Sequence, residues 1–325
     1  MADIYATQRI PGRCFDMLSD EGHKLEVHTS DEILSTVQII KEARDPHVLL
    51  CTLSNQITSE VMDSKPSLIM IANYAVGYNN IDVDSATARN ILVTNTPGAL
   101  TEATADLAFA LLLAAARRIP EGDRFCREGN FHGWLPELLS GKELHGATIG
   151  IVGAGRIGAA MGRRAKGFGM KILYYNRSRK PILEKELGAN RTELKELFAE
   201  SDFISVHLPG TPETTGIIDR DLLFSAKEDC VFVNTGRGFL VDEQALAECL
   251  IDGPIRAAGL DVFEDEPDIN ADILKLDNVA LAPHTGSATE TARSKWGEVA
   301  AANIISFLKG DTPPNPVNSE VLQSL

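Results

Sequence analysis

Two polar side chains in the second half of the chain have types and positions suited to proton transfer and anion binding. Arg237 stands between two glycines after the apolar run 231–233, and His284 follows the predicted strand 279–281. In an open α/β sheet, ligands bind at the carboxyl ends of the strands. Arg237 can present its planar guanidinium to a carboxylate through paired hydrogen bonds. His284 is suited to proton exchange because the ordinary histidine pKa is near 6.5.

A glycine-rich segment at 150–158 joins an apolar run to an amphipathic stretch. Between a strand and a helix, Gly153 would permit a tight turn, Gly155 would let the backbone approach a pyrophosphate, and Gly158 would let the helix pack closely. The phosphates would bind at the helix N-terminus, where free N–H groups and the macrodipole favour an anion. We interpret the segment as a dinucleotide-binding motif, with a purely structural strand–helix turn as the alternative.

The end of the next predicted strand, 171–175, indicates which dinucleotide binds. An NAD site usually has an aspartate or glutamate there, bound to the ribose 2′-hydroxyl. This chain has Asn176 instead, followed by Arg177, Ser178 and Arg179. The two arginines offer cationic donors to a 2′-phosphate, and the serine offers a hydroxyl. The segment therefore favours NADP(H), with NAD(H) possible, and a solvated basic loop is the alternative.

Carboxylates are concentrated at 261–266, between Arg237 and His284 in the sequence. Asp261 ends a predicted strand, where it could accept a hydrogen bond from a nicotinamide carboxamide. Glu266 would favour the imidazolium form of a nearby histidine and orient its ring. We interpret the remaining carboxylates of this segment as a solvated turn. The other six histidines lack a comparable setting, and we interpret them as structural or surface residues.

A further anion site is possible in the first hundred residues. The loop Asn73–Asp82 follows the predicted strand 68–72. Successive backbone N–H groups around Gly77 could form a nest for an anion, and a plain turn is the alternative.

Composition excludes several classes of function. The chain has 46 acidic and 31 basic residues and a net charge of −15, which argues against nucleic acid or an anionic membrane as the main partner. Its five cysteines lack CxxC spacing and predict reduced packing residues, with no disulfide or metal site. The amino terminus shows no signal-peptide pattern, and the longest apolar run, 107–116, is half a membrane span. We expect a cytoplasmic protein.

Strand-like and helical patterns alternate along the whole chain, which predicts parallel sheets covered by helices on both faces. One series of predicted strands occupies the first hundred residues, and a second begins near residue 147. The segment Thr101–Arg118 between them predicts a helix buried on several faces, with Arg117 and Arg118 in its last turn. A loop-rich stretch, Gly129–Gly146, and a second long helix, Thr289–Leu308, complete the pattern. Two α/β domains follow from this organisation.

In this order, the motifs resemble those of the D-isomer-specific 2-hydroxyacid dehydrogenases over essentially the whole chain. The resemblance is greatest to the glyoxylate/hydroxypyruvate reductase branch, in the loop Asn73–Asp82 and at Tyr175–Ser178. It implies two doubly wound parallel-sheet (Rossmann-like) domains, of which the substrate domain is discontinuous. Residues 1–100 and 288–325 would form the flavodoxin-like substrate domain, and residues 101–287 the dinucleotide-binding domain.

The resemblance also implies roles for individual residues. Arg237, Glu266 and His284 would form the catalytic set, with His284 as general acid/base, and Val76, Gly77 and Arg237 would bind the substrate. Contacts with the cofactor would come from Gly153, Gly155, Arg156, Ile157, Gly158, Asn176, Arg177, Ser178, Leu208, Thr235, Gly236, Asp261, Gly286 and Thr104. No metal is implied. A homodimer built around the cofactor domain is expected, with residues 129–140 in its contact and Trp134 and Leu138 approaching the neighbouring site.

The implied reaction is NADPH-preferring reduction of a small anionic 2-oxo acid, such as glyoxylate or hydroxypyruvate, to the (D)-2-hydroxy acid. One alternative is an NAD-linked relative acting on phosphoglycerate, lactate or formate. The other is a non-enzymatic NAD(P)-sensing protein like the corepressors that share this fold and its catalytic set. The chain lacks the extra terminal segments expected of such a scaffold, which disfavours that alternative.

Overall fold

The computed structural model describes residues 1–323, which form an α/β protein of two compact units. The first unit comprises residues 1–100 and the described residues from 288 onward, and the second comprises residues 101–287. Each unit is built on a fully parallel sheet, one of five strands and one of seven. These sheets confirm the predicted fold class.

The strands are numbered along the chain. They are β1 (Asp3–Ala6), β2 (Lys24–Val27), β3 (Val48–Thr52), β4 (Met70–Tyr74), β5 (Leu92–Thr94), β6 (Thr148–Val152), β7 (Lys171–Tyr175), β8 (Asn190–Arg191), β9 (Phe203–Val206), β10 (Cys230–Asn234), β11 (Ile255–Leu260) and β12 (Val279–Leu281).

The helices are numbered in the same way. They are α1 (Cys14–Asp20), α2 (Thr36–Glu42), α3 (Ser59–Asp63), α4 (Val83–Ala88), α5 (Thr101–Ala116), α6 (Ile119–Arg127), α7 (Arg156–Gly167), α8 (Pro181–Leu187), α9 (Leu194–Glu200), α10 (Arg220–Phe224), α11 (Glu243–Asp252) and α12 (Glu290–Leu308). Short 3₁₀ turns lie at Gly238–Leu240, Ile273–Lys275 and Ser319–Gln323.

The five-stranded sheet of the first unit has the order β2-β1-β3-β4-β5. Its interior strands are apolar because helices cover the sheet, and every residue of β4 is buried. The long helix α12 packs against β4 and α1, and Trp296 on it is 4% exposed. The chain thus returns to its first unit after the second, and an isolated antiparallel bridge joins Pro316 to Thr94 of β5.

The seven-stranded sheet of the second unit has the order β12-β11-β10-β9-β6-β7-β8. The strand order reverses at β6, which has β9 on one side and β7 on the other. The helix α5 packs against α7, β10, β11 and β12, and eight of its residues are buried. These buried residues lie on one broad side of the helix, whereas Glu102, Asp106 and Ala110 form an exposed stripe, so the prediction of burial on several faces was wrong.

Some predicted boundaries were wrong for local reasons. Helix α5 ends at Ala116, and Arg118 takes a left-handed conformation at φ 54°, so Arg117 and Arg118 lie beyond its last turn. This bend redirects the chain into α6, which the sequence reading missed and which buries none of its residues. The edge strands β2 and β8 were also missed, because neither has an apolar run. No helix among residues 1–323 is long and apolar enough to cross a membrane.

Candidate active site

The candidate cofactor-binding and catalytic residues of the second unit lie on loops at one edge of its sheet. These loops follow β6, β7, β9, β10, β11 and β12, all of which are parallel. Their carboxyl ends therefore meet at the same edge, where the reversal at β6 opens a crevice for a ligand. The exceptions are Arg156, Ile157 and Gly158, which begin α7, and Thr104, which reaches this edge from the first turn of α5.

Two of the three motif glycines are required by close backbone packing. Gly153 has φ +101°, and a Cβ there would lie 2.7 Å from the carbonyl carbon of His207. A Cβ on Gly158 would overlap the carbonyl oxygen of Gly153. By contrast, a Cβ on Gly155 would meet no atom within 4 Å. The open side of Gly155 is where the motif predicts the approach of a pyrophosphate.

Helix α7 presents its N-terminus at the same place. Gly155 is its N-cap, and no side chain caps the helix by a hydrogen bond. The first-turn N–H groups, including those of Arg156 and Ile157, are thus left for an anion, which the helix dipole also attracts. These glycines and this helix end fit the diphosphate of a dinucleotide, which they would hold through backbone N–H groups.

The segment predicted to recognise a 2′-phosphate forms a compact turn after β7. Asn176 Nδ2 donates to the carbonyl oxygen of Ser178 at 2.8 Å. The side chain of Arg177 is exposed, and it makes no ion pair within residues 1–323. Arg179 donates from Nε to both oxygens of Glu184 at 2.9 Å. Our expectation that Arg179 is free to bind phosphate is thereby weakened, because its charge is already balanced.

Asp261 is 1% exposed and holds the loop that carries His284. Its Oδ1 accepts from the N–H of Thr285 at 2.6 Å, and its Oδ2 accepts from the N–H of Gly286 at 2.8 Å. Thr104 Oγ1 donates to the carbonyl oxygen of Gly286 at 3.1 Å. Burial raises the pKa of Asp261, and the backbone hydrogen bond from Thr285 opposes that rise. Both carboxylate oxygens of Asp261 thus bind the backbone of the loop that carries His284. This role was not predicted from the sequence.

A second cluster lines the loops after β9 and β10. Burial lowers the pKa of His207 to about 3, so its ring is neutral at physiological pH. Its Nε2 lies 2.9 Å from Ser205 Oγ, and its Nδ1 lies 3.4 Å from Thr235 Oγ1. A Cβ on Gly236 would lie 3.2 Å from the carbonyl oxygen of Leu208. The structure thus brings together Leu208, Thr235 and Gly236, and it places the neutral His207 beside them.

His284 and Glu266 form a hydrogen-bonded pair. His284 Nδ1 lies 2.7 Å from Glu266 Oε2, and the two side chains are 28% and 31% exposed. Glu266 Oε1 accepts from the N–H of Phe263 at 3.1 Å. Burial raises the pKa of Glu266, but the hydrogen bond and attraction to His284, together with the N–H of Phe263 and the charge of Arg237, leave that pKa lowered. The carboxylate is therefore ionised at neutral pH and favours a protonated partner ring.

The backbone of His284 is strained into the left-handed region, with φ 52°. Its N–H donates to the carbonyl oxygens of Asp261 at 2.9 Å and Ala282 at 3.1 Å, which fix this conformation. Strain of this kind costs roughly 1–3 kcal/mol and persists where surrounding structure over-determines it. Among residues 1–323, only Nδ1 of the ring has a hydrogen-bond partner, so Nε2 is left for a ligand.

Arg237 is brought near this pair by an unusually close approach of two loops. A Cβ on Gly238 would overlap the backbone of Phe263, so only glycine lets the loop after β10 lie against the loop after β11. Asn234 braces Arg237 by donating from Nδ2 to its carbonyl oxygen at 2.9 Å. Burial lowers the pKa of the Arg237 guanidinium, and attraction to Glu266 opposes that fall. The three predicted catalytic side chains thus converge within the second unit.

The remaining predicted substrate residues lie in the first unit, on the loop after β4. The carbonyl oxygen of Val76 accepts from Asn95 Nδ2 at 2.7 Å, and that of Gly77 accepts from Asn73 Nδ2 at 2.9 Å. Neither backbone N–H donates to another residue of this unit within the part of the chain that the structure describes. The substrate-binding role of Val76 and Gly77 stays a prediction.

The cysteines are free, and four of them are buried as predicted. Cys126 is exposed, so the interpretation of all five as packing residues was wrong at that position. It lies on α6, the helix that the sequence reading missed, and no residue of that helix is buried.

Comparison with known proteins identifies the family. The family model described as "D-isomer specific 2-hydroxyacid dehydrogenase, NAD binding domain" matches residues 109–286. A glyoxylate reductase of Thermococcus litoralis is 47% identical over 325 aligned positions, covering 99% of this chain and 98% of its own. The chain belongs to the D-isomer specific 2-hydroxyacid dehydrogenase family. This confirms the predicted family and branch, and makes the chain an NAD(P)-dependent 2-hydroxyacid oxidoreductase.

Solved structures resemble this dehydrogenase along its whole length. A protein of Thermus thermophilus has a TM-score of 0.91 and 43% identity, with 97% of this chain and 99% of that chain covered. The NADPH-dependent glyoxylate/hydroxypyruvate reductase of Sinorhizobium meliloti, solved with NADP and malonate, has a TM-score of 0.85 and 34% identity. The alignment covers 97% of this chain and 96% of the S. meliloti reductase.

Proposed function

We propose that this dehydrogenase reduces small 2-oxo acids of the glyoxylate and hydroxypyruvate type, with NADPH preferred and (D) stereochemistry where the product is chiral. The names of the relatives from T. litoralis and S. meliloti support the substrate class, and the latter was solved with NADP. The observation that carries the proposal is the pair formed by His284 and Glu266, which leaves Nε2 of the imidazole without a partner among residues 1–323.

His284 is the proposed general acid. When bound, the reduced nicotinamide supplies the hydride that the carbonyl carbon of the 2-oxo acid accepts. Negative charge then develops on the carbonyl oxygen, and a proton from Nε2 of the His284 imidazolium neutralises it. Glu266 keeps this proton available because its carboxylate favours the charged ring, and its bond to Nδ1 fixes the ring's orientation.

Arg237 is proposed to hold the substrate carboxylate and to polarise the ketone. A guanidinium can donate two parallel hydrogen bonds to a carboxylate, which fixes the substrate's orientation as well as its position. Its partial burial strengthens the interaction because little water competes. In the first unit, the backbone N–H groups of Val76 and Gly77 are proposed to bind the carboxylate as well.

The proposed NADPH preference depends on the turn after β7. Asn176 carries no charge that would repel a 2′-phosphate, and Arg177 is exposed and makes no ion pair within residues 1–323. Arg191 adds positive charge beneath the turn, donating from Nε to the carbonyl oxygen of Asn176 at 3.1 Å. NADH lacks the 2′-phosphate and gains less from these groups.

The test is a matrix of substrates and cofactors with purified protein. Glyoxylate, hydroxypyruvate, 3-phosphohydroxypyruvate and pyruvate are each assayed with NADPH and NADH, and formate is assayed with NADP⁺ and NAD⁺. The proposal expects the highest kcat/KM for glyoxylate or hydroxypyruvate with NADPH, and (D)-glycerate as the product from hydroxypyruvate. A preference for 3-phosphohydroxypyruvate with NADH would contradict it, and absence of turnover with every pair would favour a cofactor-sensing protein.

We also propose a homodimer that uses the loop after α6. Trp134 is 81% exposed and the adjacent Leu135 is 62% exposed, which gives this loop an apolar surface that a second copy could cover. Light scattering of the purified protein tests this, and a monomer at micromolar concentration would contradict it. The cytoplasmic location stays a prediction.

A further inference from the structure

The loop after β4 presents two consecutive backbone donors and has its carbonyl groups tied down. The N–H groups of Val76 and Gly77 donate to no described residue of the first unit. On the carbonyl side, Asn95 Nδ2 donates to Val76 O at 2.7 Å, and Asn73 Nδ2 donates to Gly77 O at 2.9 Å. Side-chain amides thus occupy the acceptors of this segment while its donors are left for a ligand.

The hydrogen bond from Asn95 fixes the direction of one of these donors. The carbonyl of Val76 and the N–H of Gly77 belong to the same planar trans peptide and point in opposite directions. Holding the oxygen therefore holds the N–H, which points away from Asn95. A hydrogen-bonded carbonyl also polarises its amide, which strengthens the N–H as a donor.

Asn95 is itself anchored by the C-terminal part of the chain. Its carbonyl oxygen accepts from Asn303 Nδ2 at 2.9 Å, and its N–H donates to the carbonyl oxygen of Asn315 at 3.3 Å. Asn303 lies on α12 and is fully buried. The backbone on both sides of the Asn95 side chain is therefore fixed, and the amide has a defined position beneath the loop.

Asn73 belongs to a second buried amide network. Asn73 and Asn80 are 1% and 7% exposed, and Asn73 Nδ2 lies 3.3 Å from Asn80 Oδ1. Asn80 Nδ2 donates to the carbonyl oxygens of Thr52 at 3.1 Å and Asn55 at 3.0 Å. Buried amides are costly unless their hydrogen bonds are satisfied, so such a network specifies one geometry. Through Asn73 it holds the carbonyl of Gly77, next to the carbonyl of Val76 that Asn95 holds.

We propose that Asn95 is a positioning residue for the substrate, because it aims the N–H of Gly77 at the substrate carboxylate. Asn73 supports it by holding the next peptide of the loop. The inference rests on the proposed function, in which Val76 and Gly77 bind the carboxylate of the 2-oxo acid. The affinity of these N–H groups for the carboxylate then depends on the side chain of Asn95, which holds the loop and does not bind the substrate itself.

The experiment removes the donor of Asn95 and measures binding of a carboxylate ligand. Asn95→Asp replaces the donating nitrogen with an oxygen of similar size and adds a negative charge, and Asn95→Ser replaces the amide with a shorter hydroxyl group without adding charge. Oxalate is the probe, since it has a carboxylate but cannot accept hydride, and calorimetry in the presence of NADP⁺ gives its Kd. In each variant the N–H of Gly77 is no longer aligned with the carboxylate of oxalate. Loss of that one hydrogen bond to a charged group predicts that oxalate binds about tenfold more weakly. KM for glyoxylate rises in parallel, and the Kd of NADPH is unchanged.

Asn318→Asp is the matched control. Asn318 is 1% exposed in the same unit and donates from Nδ2 to the carbonyl oxygen of Ile91 at 3.0 Å. Its substitution should lower the Tm without changing the Kd of oxalate. Equal weakening of oxalate in the control would overturn the positioning role, as would unchanged oxalate binding in Asn95→Ser, whether or not Asn95→Asp folds. Failure of the wild-type enzyme to reduce glyoxylate or to bind oxalate would instead overturn the proposed function.

Discussion

The Nδ1 atom of His284 lies 2.7 Å from Oε2 of Glu266, although the two residues come from loops that follow different strands. One nitrogen of the imidazole is thereby committed to a carboxylate. The other nitrogen is the one that can exchange a proton with a ligand. This relationship gives the two residues distinct roles, with His284 as the proposed acid and Glu266 as the group that keeps it charged.

Glu266→Gln should shift the pH dependence of reduction. Burial raises the pKa of Glu266, but His284, the N–H of Phe263 and Arg237 together leave it lowered, so the carboxylate is charged at neutral pH. A neutral amide cannot stabilise the charged form of a neighbouring ring as the carboxylate does. We expect the alkaline limb of kcat/KM for glyoxylate to move down by about one pH unit.

Glu264→Gln is the control for this shift, since Glu264 is exposed two residues away and the chemical change is the same. Its profile should match that of the wild type. Superimposable profiles for Glu266→Gln and the wild type would show that the carboxylate does not act on the ring.

Arg177→Ala should weaken NADPH binding and leave NADH binding nearly unchanged. The exposed guanidinium is the proposed partner of the 2′-phosphate, and loss of a charge-assisted hydrogen bond costs roughly 1.5–3 kcal/mol, or about tenfold or more in KM. Arg179→Ala should have a smaller effect, because that guanidinium already pairs with Glu184. Steady-state KM values for both cofactors measure this, and equal losses for NADPH and NADH would refute the assignment of Arg177.

Gly155→Ala and Gly158→Ala should separate cofactor binding from folding. A methyl group on Gly155 meets no protein atom within 4 Å, so its Tm should match that of the wild type while both cofactors bind more weakly. A methyl group on Gly158 overlaps the carbonyl oxygen of Gly153 and should lower the Tm as well. Thermal unfolding and cofactor titration measure the two effects. Normal cofactor binding by Gly155→Ala would contradict the prediction that the diphosphate binds at this loop.

Much of the second unit could be predicted because its strands are short apolar runs ended by polar residues. The strands β7 and β12 begin and end at the bounds that the sequence predicted. Arg237 and His284 could be singled out because parallel strands bring their carboxyl ends to one edge. The motif glycines could be assigned roles because close backbone packing leaves no room for a Cβ at Gly153 or Gly158.

Features that depend on side-chain pairing could not be predicted from the sequence. Nothing in the pattern around residue 261 shows that both oxygens of Asp261 bind the loop of His284. The pairing of Arg179 with Glu184 depends on how α8 follows its turn. The helix α6 was missed because a single left-handed residue, Arg118, separates it from α5.

His284 is proposed to supply the proton on which reduction depends, and turnover by His284→Ala tests this role most directly. With glyoxylate and saturating NADPH, we expect kcat to fall by about 10²–10⁴-fold, the usual contribution of a positioned general acid. The Kd of NADPH, measured by fluorescence titration, should stay close to that of the wild type. An unchanged kcat in this variant would contradict the proposed role.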